Sequence, residues 1–242
     1  MFVFKKVNTF IINYETNRGE KRMPYKPARK IMPKRKGFRG KEPFLKTGDM
    51  IHWESFLERN FIRLADFDVQ VEEIFYQPVC IHYLLNGKKH KYFPDFKLIL
   101  KDGRVFIIEV KSLRFKNYPS NVIKYEVGRK FCETQRWHYE VFTEEEINPG
   151  YLQTNLSLLR HLGTQDVSDK IMDHVLEQLK QKTEIYLFKL RESCEEINEE
   201  NFYKAVYQLI YLQEISTDLV NVKLSDDSVL RYSVEGERSS CS

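Results

Sequence analysis

Two acidic side chains and a lysine are spaced so that they could form a metal-dependent hydrolytic site. The chain reads Pro94-Asp95 and then, after thirteen intervening residues, Glu109-Val110-Lys111. Carboxylate oxygens and backbone carbonyls are ligands that Mg²⁺ and Mn²⁺ prefer. Such an ion lowers the pKa of a bound water and stabilises charge developing on a phosphate, and a nearby lysine can orient or deprotonate that water. The pattern is therefore typical of metal-assisted phosphodiester hydrolysis.

A β-hairpin would bring the two carboxylates to one place. The residues between them are rich in β-branched and aromatic types and are interrupted by a turn signal at 101–103. With this three-residue turn, Leu100 opposes Arg104, and counting back along both strands places Asp95 opposite Glu109. Directly opposed side chains share one face of a sheet, with Cβ atoms ~4.5–5.5 Å apart. The sequence therefore predicts that both carboxylates meet at the end of this hairpin.

This predicted arrangement concentrates negative charge. Two carboxylates ~5 Å apart repel by roughly 3 kcal/mol at an effective dielectric constant of about 20, so a cation must lie between them or one must bind a proton. Lys111 shares a face with Glu109 and can neutralise part of the charge, whereas Val110 points to the opposite face. A hard divalent cation would neutralise more of it. The alternative is an exposed strand face with ordinary salt-bridging charges.

The charge of the chain is unevenly distributed. Residues 1–150 carry 29 Lys and Arg against 19 Asp and Glu, whereas residues 151–242 carry 10 against 16. Ten basic residues and no acidic residue fall within 21–41, where prolines and glycines argue against a long helix. Such a basic arm binds nucleic acid through counterion release, and a solvated tail is the alternative. The arm residues predicted to contact nucleic acid are Arg22, Arg29, Lys30, Lys34, Arg35, Lys36 and Arg39.

Further basic residues lie close to the acidic pattern. Arg114 and Lys116 follow Lys111 directly, and Arg129 and Lys130 lie on a predicted helix. Groups in such positions can contact the phosphate backbone of DNA. For the helix, burial of its apolar residues on a protein surface is an equally good explanation, and both can hold together. The acidic second half should repel phosphates, so we expect it to bind protein rather than DNA.

Hydrophobic periodicity predicts an α/β first part and a mainly helical second part. Strands and hairpin turns dominate between a helix at 54–64 and a strand at 138–142, and Gln77-Pro78 is expected to end a strand at the sheet edge. Asn148-Pro149-Gly150 breaks the pattern and marks a domain boundary. The segments predicted in the first part are strands at 69–76 and 79–85, the hairpin that carries the acidic pattern, and a helix at 121–136. Those predicted in the second part are helices at 151–161, 168–181, 184–192 and 199–211 and strands near 218–223 and 229–233.

These segments divide the chain into three predicted parts. Residues 1–41 form the basic N-terminal arm, residues 42–149 form an α/β catalytic domain, and residues 150–242 form a small C-terminal domain. Because its helices are followed by a β-hairpin, the C-terminal domain is expected to be winged-helix-like. The predicted fold class is thus α/β with a mainly helical addition.

Composition excludes several classes of protein. Of 242 residues, 42% are apolar and 31% charged, which is enough for a sizeable core and too hydrophobic for disorder. No window approaches the ~18 apolar residues of a membrane helix. Lys5 and Lys6 interrupt the apolar start, so no signal peptide is expected. The four cysteines and six histidines form neither Cys-x-x-Cys nor His-x-x-x-His. Neither a structural zinc site nor a disulfide framework is therefore expected, and the expected location is the cytoplasm.

An ordered set of segments carries a resemblance to a known family. In order, they are Arg39-Gly40-Lys41, residues 51–59 (IHWESFLER), Asp68, Val71, Gln77-Pro78, Tyr92-Phe93-Pro94-Asp95, Glu109-Val110-Lys111 and residues 142–148 (FTEEEIN). The Pro-Asp…Glu-x-Lys part resembles the PD-(D/E)xK signature of nucleases with a restriction-endonuclease-like core, a mixed sheet flanked by helices. The whole set, over about residues 39–150, resembles TnsA, the endonuclease subunit of the heteromeric transposases of Tn-seven-like elements. The remaining residues fit the family's helical, winged-helix-like C-terminal domain.

The resemblance implies roles for individual residues. The family's first acidic residue lies on a helix ahead of the Val…Gln-Pro segment, and Glu58 matches it, with Glu54 one turn earlier as a competitor. Some relatives carry Gln where Glu109 stands. Mg²⁺ is the implied cofactor, and Mn²⁺ is expected to substitute for it. The implied catalytic residues are Glu58, Asp95 and Lys111, and the implied metal ligands are Glu58, Asp95, Glu109 and the carbonyl of Val110.

The resemblance also implies an activity and partners. A TnsA-like subunit cuts the strands that carry the 5′ ends, the non-transferred strands, at each end of a transposon during cut-and-paste transposition. Its partner transposase, TnsB, cuts the 3′ ends and joins them to target DNA. A TnsC-like ATPase regulator would contact the acidic C-terminal domain. The implied substrate is double-stranded DNA at transposon ends.

Two other functions fit part of the pattern. One is a stand-alone Holliday-junction resolvase or restriction-type nuclease, which would not need the acidic C-terminal domain. The other is a catalytically silent DNA-binding scaffold of a transposition complex. The presence of Glu58, Asp95 and Lys111 argues against the silent scaffold.

Overall fold

The structure is a computed structural model that describes residues 25–29 and 38–233, and it divides into two compact units. The first unit holds the described residues up to Arg59 together with Gln70–Phe142, and the second holds Asn60–Val69 and the described residues from Thr143. Helix α1 (Phe56–Phe67) is continuous and contributes its first turn to the first unit and the rest to the second.

The first unit is built on a four-stranded mixed sheet with the strand order β3-β6-β7-β8. Antiparallel pairing joins β3 to β6 and β6 to β7, and parallel pairing joins β7 to β8. Outside this sheet, β1 pairs with β2 and β4 with β5 in separate two-stranded ribbons. The elements are β1 (Gly40–Phe44), β2 (Asp49–Trp53), α1, β3 (Val71–Tyr76), β4 (Ile81–Leu85), β5 (Lys88–Tyr92), β6 (Phe96–Leu100), β7 (Val105–Val110), α2 (Leu113–Lys116), α3 (Pro119–Gln135) and β8 (His138–Phe142).

Strand β7 is central, and its residues from Phe106 to Val110 are all buried. The connection from β7 to the parallel strand β8 runs through helix α3, as parallel pairing requires a crossover. This mixed sheet flanked by helices fits the restriction-endonuclease-like core that the sequence predicted.

The register of the β6–β7 hairpin is confirmed. Phe96 pairs with Ile108 and Ile99 with Val105, which is the alignment that places Asp95 opposite Glu109. The turn closes with the Gly103 backbone N–H donating to the Leu100 carbonyl at 2.9 Å, and Gly103 has φ 81°, which glycine adopts without strain.

The first strand of this hairpin is short, because it begins only after Pro94. The chain from His90 to Leu100 is divided at Pro94, so that β5 pairs with β4 and only β6 joins the main sheet. Proline lacks the N–H that a ladder needs and restricts the residue before it. Asp95 therefore lies directly at the start of β6, where one strand has ended and the next begins.

The second unit is mainly helical around a small sheet with the strand order β10-β11-β9. Its core includes the fully buried Leu159, Leu179, Leu190, Phe202 and Leu230. In the described residues, no helix is long and apolar enough to cross a membrane. The elements are α4 (Glu144–Ile147), α5 (Leu152–Leu162), α6 (Asp169–Lys180), β9 (Ile185–Tyr186), α7 (Leu187–Glu192), α8 (Glu199–Tyr211), β10 (Ile215–Ser216) and β11 (Val229–Tyr232).

The strand predicted near 218–223 is wrong, because the pair formed with β11 is Ile215–Ser216. Two side chains hold 218–223 in an irregular conformation. The Asp218 carboxylate accepts the backbone N–H groups of Val220 and Asn221 at 3.0 and 2.8 Å. The Asn155 carboxamide donates to the carbonyls of Leu219 and Val222, both at 2.8 Å. These backbone groups are satisfied by side chains instead of by a strand ladder.

A buried carboxylate ties helix α1 to two helices of the second unit. Asp66 is 1% exposed and accepts hydrogen bonds from the Arg160 guanidinium of α5 and from the Tyr211 hydroxyl of α8, the latter at 2.8 Å. The Gln213 carboxamide also donates to the Phe67 carbonyl at 2.7 Å. Because the guanidinium of Arg160 is itself largely buried, removing the carboxylate would take away an ion-pair partner that solvent cannot fully replace.

We expect Asp66→Ala to lower the free energy of unfolding by about 3–5 kcal/mol, the usual cost of removing one partner of a buried ion pair. Urea denaturation would measure it. Asp173→Ala, at an exposed position of α6, is the matched control and should stay within ~0.5 kcal/mol of wild type. A loss below about 1 kcal/mol for Asp66→Ala would show that the pair behaves like a surface ion pair.

Candidate active site

Asp95 is held at the end of the hairpin by its neighbour across the strands. Its Oδ2 accepts the backbone N–H of Val110 at 2.8 Å, and its own N–H donates to the Ile108 carbonyl at 3.1 Å. Burial raises the pKa of the Asp95 carboxyl well above its usual value, and the charges of Glu109 and Glu58 raise it further, against the opposing effect of Lys111 and of the Val110 N–H. The site therefore holds more negative charge than its own cation compensates.

Glu109 is almost completely buried, at 3% exposed, and both of its carboxylate oxygens have partners. Oε1 lies 3.1 Å from the Lys111 ammonium, and Oε2 accepts the Tyr92 hydroxyl at 2.8 Å. Burial by itself would lower the pKa of Lys111, but the charges of Glu109 and Asp95 outweigh it and raise the pKa above its usual value. Lys111 therefore carries its proton at neutral pH and acts as a fixed positive charge.

A second tyrosine continues the hydrogen-bond chain behind Glu109. The hydroxyls of Tyr92 and Tyr139 lie 2.7 Å apart. Because a phenol has a single proton and that of Tyr92 goes to the carboxylate, Tyr139 is the donor to Tyr92. Burial, followed by the charge of Glu109, raises the pKa of both hydroxyls. A Cβ at Gly128 of α3 would lie 2.2 Å from the Tyr139 ring, so only glycine lets α3 approach this closely.

Glu58 is placed by the start of helix α1. The Ser55 hydroxyl accepts the Glu58 N–H at 3.1 Å and donates to Glu58 Oε1 at 3.0 Å, and the Glu54 N–H donates to Glu58 Oε2 at 2.7 Å. This arrangement resembles a capping box. Burial raises the pKa of Glu58 despite these hydrogen bonds, and the charges of Glu54 and Glu109 add to the rise. The charge of Glu58 thus raises the pKa of Asp95, while its carboxylate oxygens accept hydrogen bonds from groups at the start of α1.

The donor set fits a hard divalent cation. In the described parts of the chain, no group of three or more His, Cys, Asp or Glu side chains is close enough to hold a metal ion. The carboxylates brought together by the hairpin are those of Asp95 and Glu109. Mg²⁺ commonly uses one or two carboxylates and keeps several waters, and an ion here would compensate the charge that raises the pKa of Asp95. Ligation by Glu58 and by the carbonyl of Val110 stays a prediction.

The basic residues predicted to contact nucleic acid are dispersed. Arg114 is exposed on α2, with its guanidinium 4.5 Å from the centroid of the Phe115 ring, and Lys116 ends the same helix. Arg129 and Lys130 are exposed on α3. Arg29 and Arg39 form ion pairs with Glu54, the residue weighed as a competitor of Glu58. The arm residues Arg22, Lys30, Lys34, Arg35 and Lys36 lie outside the described residues.

Gln77 lies closer to the site than the sequence indicated. It follows strand β3, is 3% exposed and has φ 47°, an uncommon conformation for a residue other than glycine. Its N–H donates to the Asp95 carbonyl at 2.8 Å, and its side-chain oxygen accepts the Arg29 Nε at 3.1 Å. Gln77 therefore positions the backbone of Asp95. The sequence favoured a strand end at the sheet edge for Gln77 over a role in the active site. It missed the roles of Tyr92 and Tyr139, for which the one available signal was the place of Tyr92 in the resemblance.

Comparison with known proteins found a family model that matches part of the chain. Residues 68–144 match the family model described as TnsA-like endonuclease N terminal. Over these residues, the chain is similar to TnsA-like endonucleases. The matched stretch contains Asp95, Glu109 and Lys111, and Glu58 lies ahead of it. No curated protein matches the chain. The resemblance predicted from the sequence is confirmed over the stretch that contains the hairpin.

Asp95→Asn is expected to stabilise the protein at neutral pH. The raised pKa of Asp95 means that folding favours the protonated form, so the folded state carries no penalty below the ordinary aspartate pKa and the full penalty above the raised value. The amide keeps an acceptor for the Val110 N–H. In thermal unfolding with EDTA, the variant should have the higher midpoint at neutral pH, and the difference should shrink as pH falls.

Asp173→Asn, which removes the same charge from an exposed position, serves as the control and should show a pH dependence equal to that of wild type. A lower midpoint for Asp95→Asn at neutral pH would contradict the electrostatic account.

Tyr92→Phe should cost about 1–3 kcal/mol in the free energy of unfolding, since it leaves a buried oxygen of Glu109 without its donor. Tyr83→Phe is the matched control, because it removes the same hydroxyl from a partly exposed side chain in strand β4. Denaturation of both variants in EDTA measures the difference. Equal stabilities would show that the Tyr92 hydroxyl does not support Glu109.

Proposed function

We propose that this chain is the metal-dependent endonuclease subunit of a heteromeric transposase, and that it cuts the 5′ ends, the non-transferred strands, at transposon ends. The observation that carries this proposal is the meeting of Asp95, Glu109 and Lys111 at the end of one hairpin. The match to a TnsA-like endonuclease domain supports the class of reaction.

Each side chain at the end of the hairpin would make a different contribution to hydrolysis. Asp95 and Glu109 would hold Mg²⁺, or Mn²⁺ in its place, and the bound ion would supply an activated water and stabilise charge on the phosphate. Tyr92 keeps one oxygen of Glu109 fixed, in the way that outer hydrogen bonds orient metal ligands. Lys111 would orient the attacking water, deprotonate it, or neutralise charge on the phosphate. Glu58 would complete the negative surroundings of the ion.

The second unit is proposed to bind protein partners. Its sequence carries an excess of acidic residues over residues 151–242, which disfavours phosphate contact. A TnsC-like ATPase regulator is the partner proposed for this unit, which we expect to be winged-helix-like. A TnsB-like transposase would cut and join the 3′ ends. Such a complex would act on double-stranded DNA at transposon ends, in the cytoplasm and at the nucleoid.

Cleavage of a supercoiled donor, with the broken strand mapped, tests this proposal. With Mg²⁺ and partner proteins, wild type should cut the 5′ ends. Asp95→Ala should lose this cut by about a hundredfold or more, because the carboxylate that would hold the ion is gone, and Lys111→Ala should lose it by a similar factor. Complex assembly should persist, and EDTA should abolish cutting.

Lys101→Ala is the matched control, since it removes a lysine at the opposite end of the same hairpin, and it should cut normally. Unimpaired excision by Asp95→Ala would refute the assigned role. Equal cutting by wild type without any partner protein would favour the stand-alone nuclease, and DNA binding without cutting under every condition would favour the silent scaffold.

A further inference from the structure

Two arginines from either side of the undescribed residues 30–37 converge on one carboxylate. The guanidinium groups of Arg29 and Arg39 each form an ion pair with Glu54, one with Oε2 and the other with Oε1. Two guanidinium groups therefore share the two oxygens of one carboxylate. The Glu54 side chain is 17% exposed, and those of Arg29 and Arg39 are 38% and 15% exposed, so the cluster lies at the surface without being fully solvated.

The cluster is connected to the catalytic carboxylates. Arg29 also donates its Nε to the Gln77 side chain at 3.1 Å, and the Gln77 N–H donates to the Asp95 carbonyl at 2.8 Å. On the other side, the Glu54 N–H donates to the Glu58 carboxylate at 2.7 Å. Both guanidinium groups are therefore one residue removed from Glu58, and that of Arg29 is also one residue removed from Asp95.

The segment that carries Arg29 is held on the end of strand β3. The Tyr25 hydroxyl donates to the Tyr76 carbonyl at 2.7 Å, and the Ala28 N–H donates to the Gln77 carbonyl at 2.9 Å. The Tyr25 ring lies 5.0 Å from that of Phe75, centroid to centroid. These contacts fix Arg29 in place independently of Glu54, so loss of the ion pair would not by itself release the arginine.

From this geometry we propose that Arg29 and Arg39 form a clamp for a backbone phosphate of DNA, and that Glu54 occupies the clamp until DNA displaces it. Guanidinium groups bind carboxylates and phosphates with the same two-pronged hydrogen bonding. A phosphodiester that reaches Asp95 carries further phosphates of its strand past this cluster. The inference rests on the proposed nuclease function for its substrate, and it assigns Glu54 a task separate from that of Glu58.

A double-mutant cycle on the full chain tests the clamp. The probe is a short fluorescent DNA duplex of mixed sequence in EDTA, so that cleavage plays no part. Glu54→Gln should bind it more tightly and with a steeper dependence on salt, by about 0.9 in the logarithmic slope for each additional phosphate that the protein neutralises. The same variant should unfold at a lower temperature, because two ion pairs are lost. Tighter binding by a less stable protein is the opposite of what structural damage produces.

Arg29→Gln combined with Arg39→Gln should weaken binding and flatten the slope, and adding Glu54→Gln to that pair should then change nothing. Glu72→Gln, which removes an exposed carboxylate from strand β3 in the same unit, is the matched control and should leave the slope unchanged. If Glu54→Gln does not fold, Glu54→Asp, which withdraws the carboxylate by one methylene, takes its place with the same expected sign.

Unchanged or weaker binding by Glu54→Gln overturns the proposal. So does tighter binding that persists without the two arginines, because that would be a bulk effect of charge. The two proposals fail separately. If the double-mutant cycle shows coupling but the protein never cuts DNA, the clamp is supported and the nuclease function is refuted. If the protein cuts normally but the cycle shows no coupling, the nuclease function is supported and the clamp is refuted.

Discussion

The repulsion between two carboxylates that a hairpin register holds opposite each other is the constraint on which the site depends. Asp95 and Glu109 cannot move apart, because the ladder between β6 and β7 fixes their backbones. Burial then removes the solvent that would screen them, and the pKa of Asp95 rises as a result. A fold retains such an arrangement at a cost in stability, which a proton on Asp95 or a divalent cation between the carboxylates would relieve.

The surroundings of the two carboxylates prevent other ways of relieving the repulsion. Tyr92 and Tyr139 hold one oxygen of Glu109 from behind, so the side chain cannot turn away. The Val110 N–H holds one oxygen of Asp95. Three carboxylates, those of Asp95, Glu109 and Glu58, influence one another here, and Lys111 supplies one positive charge against them. The remaining negative charge is what would favour a bound cation at this site.

The register of the hairpin could be predicted because turn length and strand alternation are local properties. A three-residue turn with glycine at its third position favours one register of the two strands. Counting back from the turn in that register places Asp95 opposite Glu109. The tyrosine chain could not be predicted in this way, since Tyr92 lies in the β4–β5 ribbon and Tyr139 follows the crossover helix α3. Residues 218–223 have the composition of a strand, but the side chains of Asp218 and Asn155 satisfy their backbone groups.

Spacing along the chain does not decide whether Glu54 or Glu58 matches the first acidic residue of the family. One turn apart, both fit the first acidic position of the family, and sequence alone leaves Glu54 as a competitor. The structure separates them by their partners: hydrogen-bond donors at the start of α1 surround Glu58, and two guanidinium groups surround Glu54. Glu54 already has two guanidinium partners, whereas the charge of Glu58 raises the pKa of Asp95. The arginines thus distinguish the two acids, because Glu54 forms ion pairs with the cations that would bind DNA, although its charge still raises the pKa of Glu58.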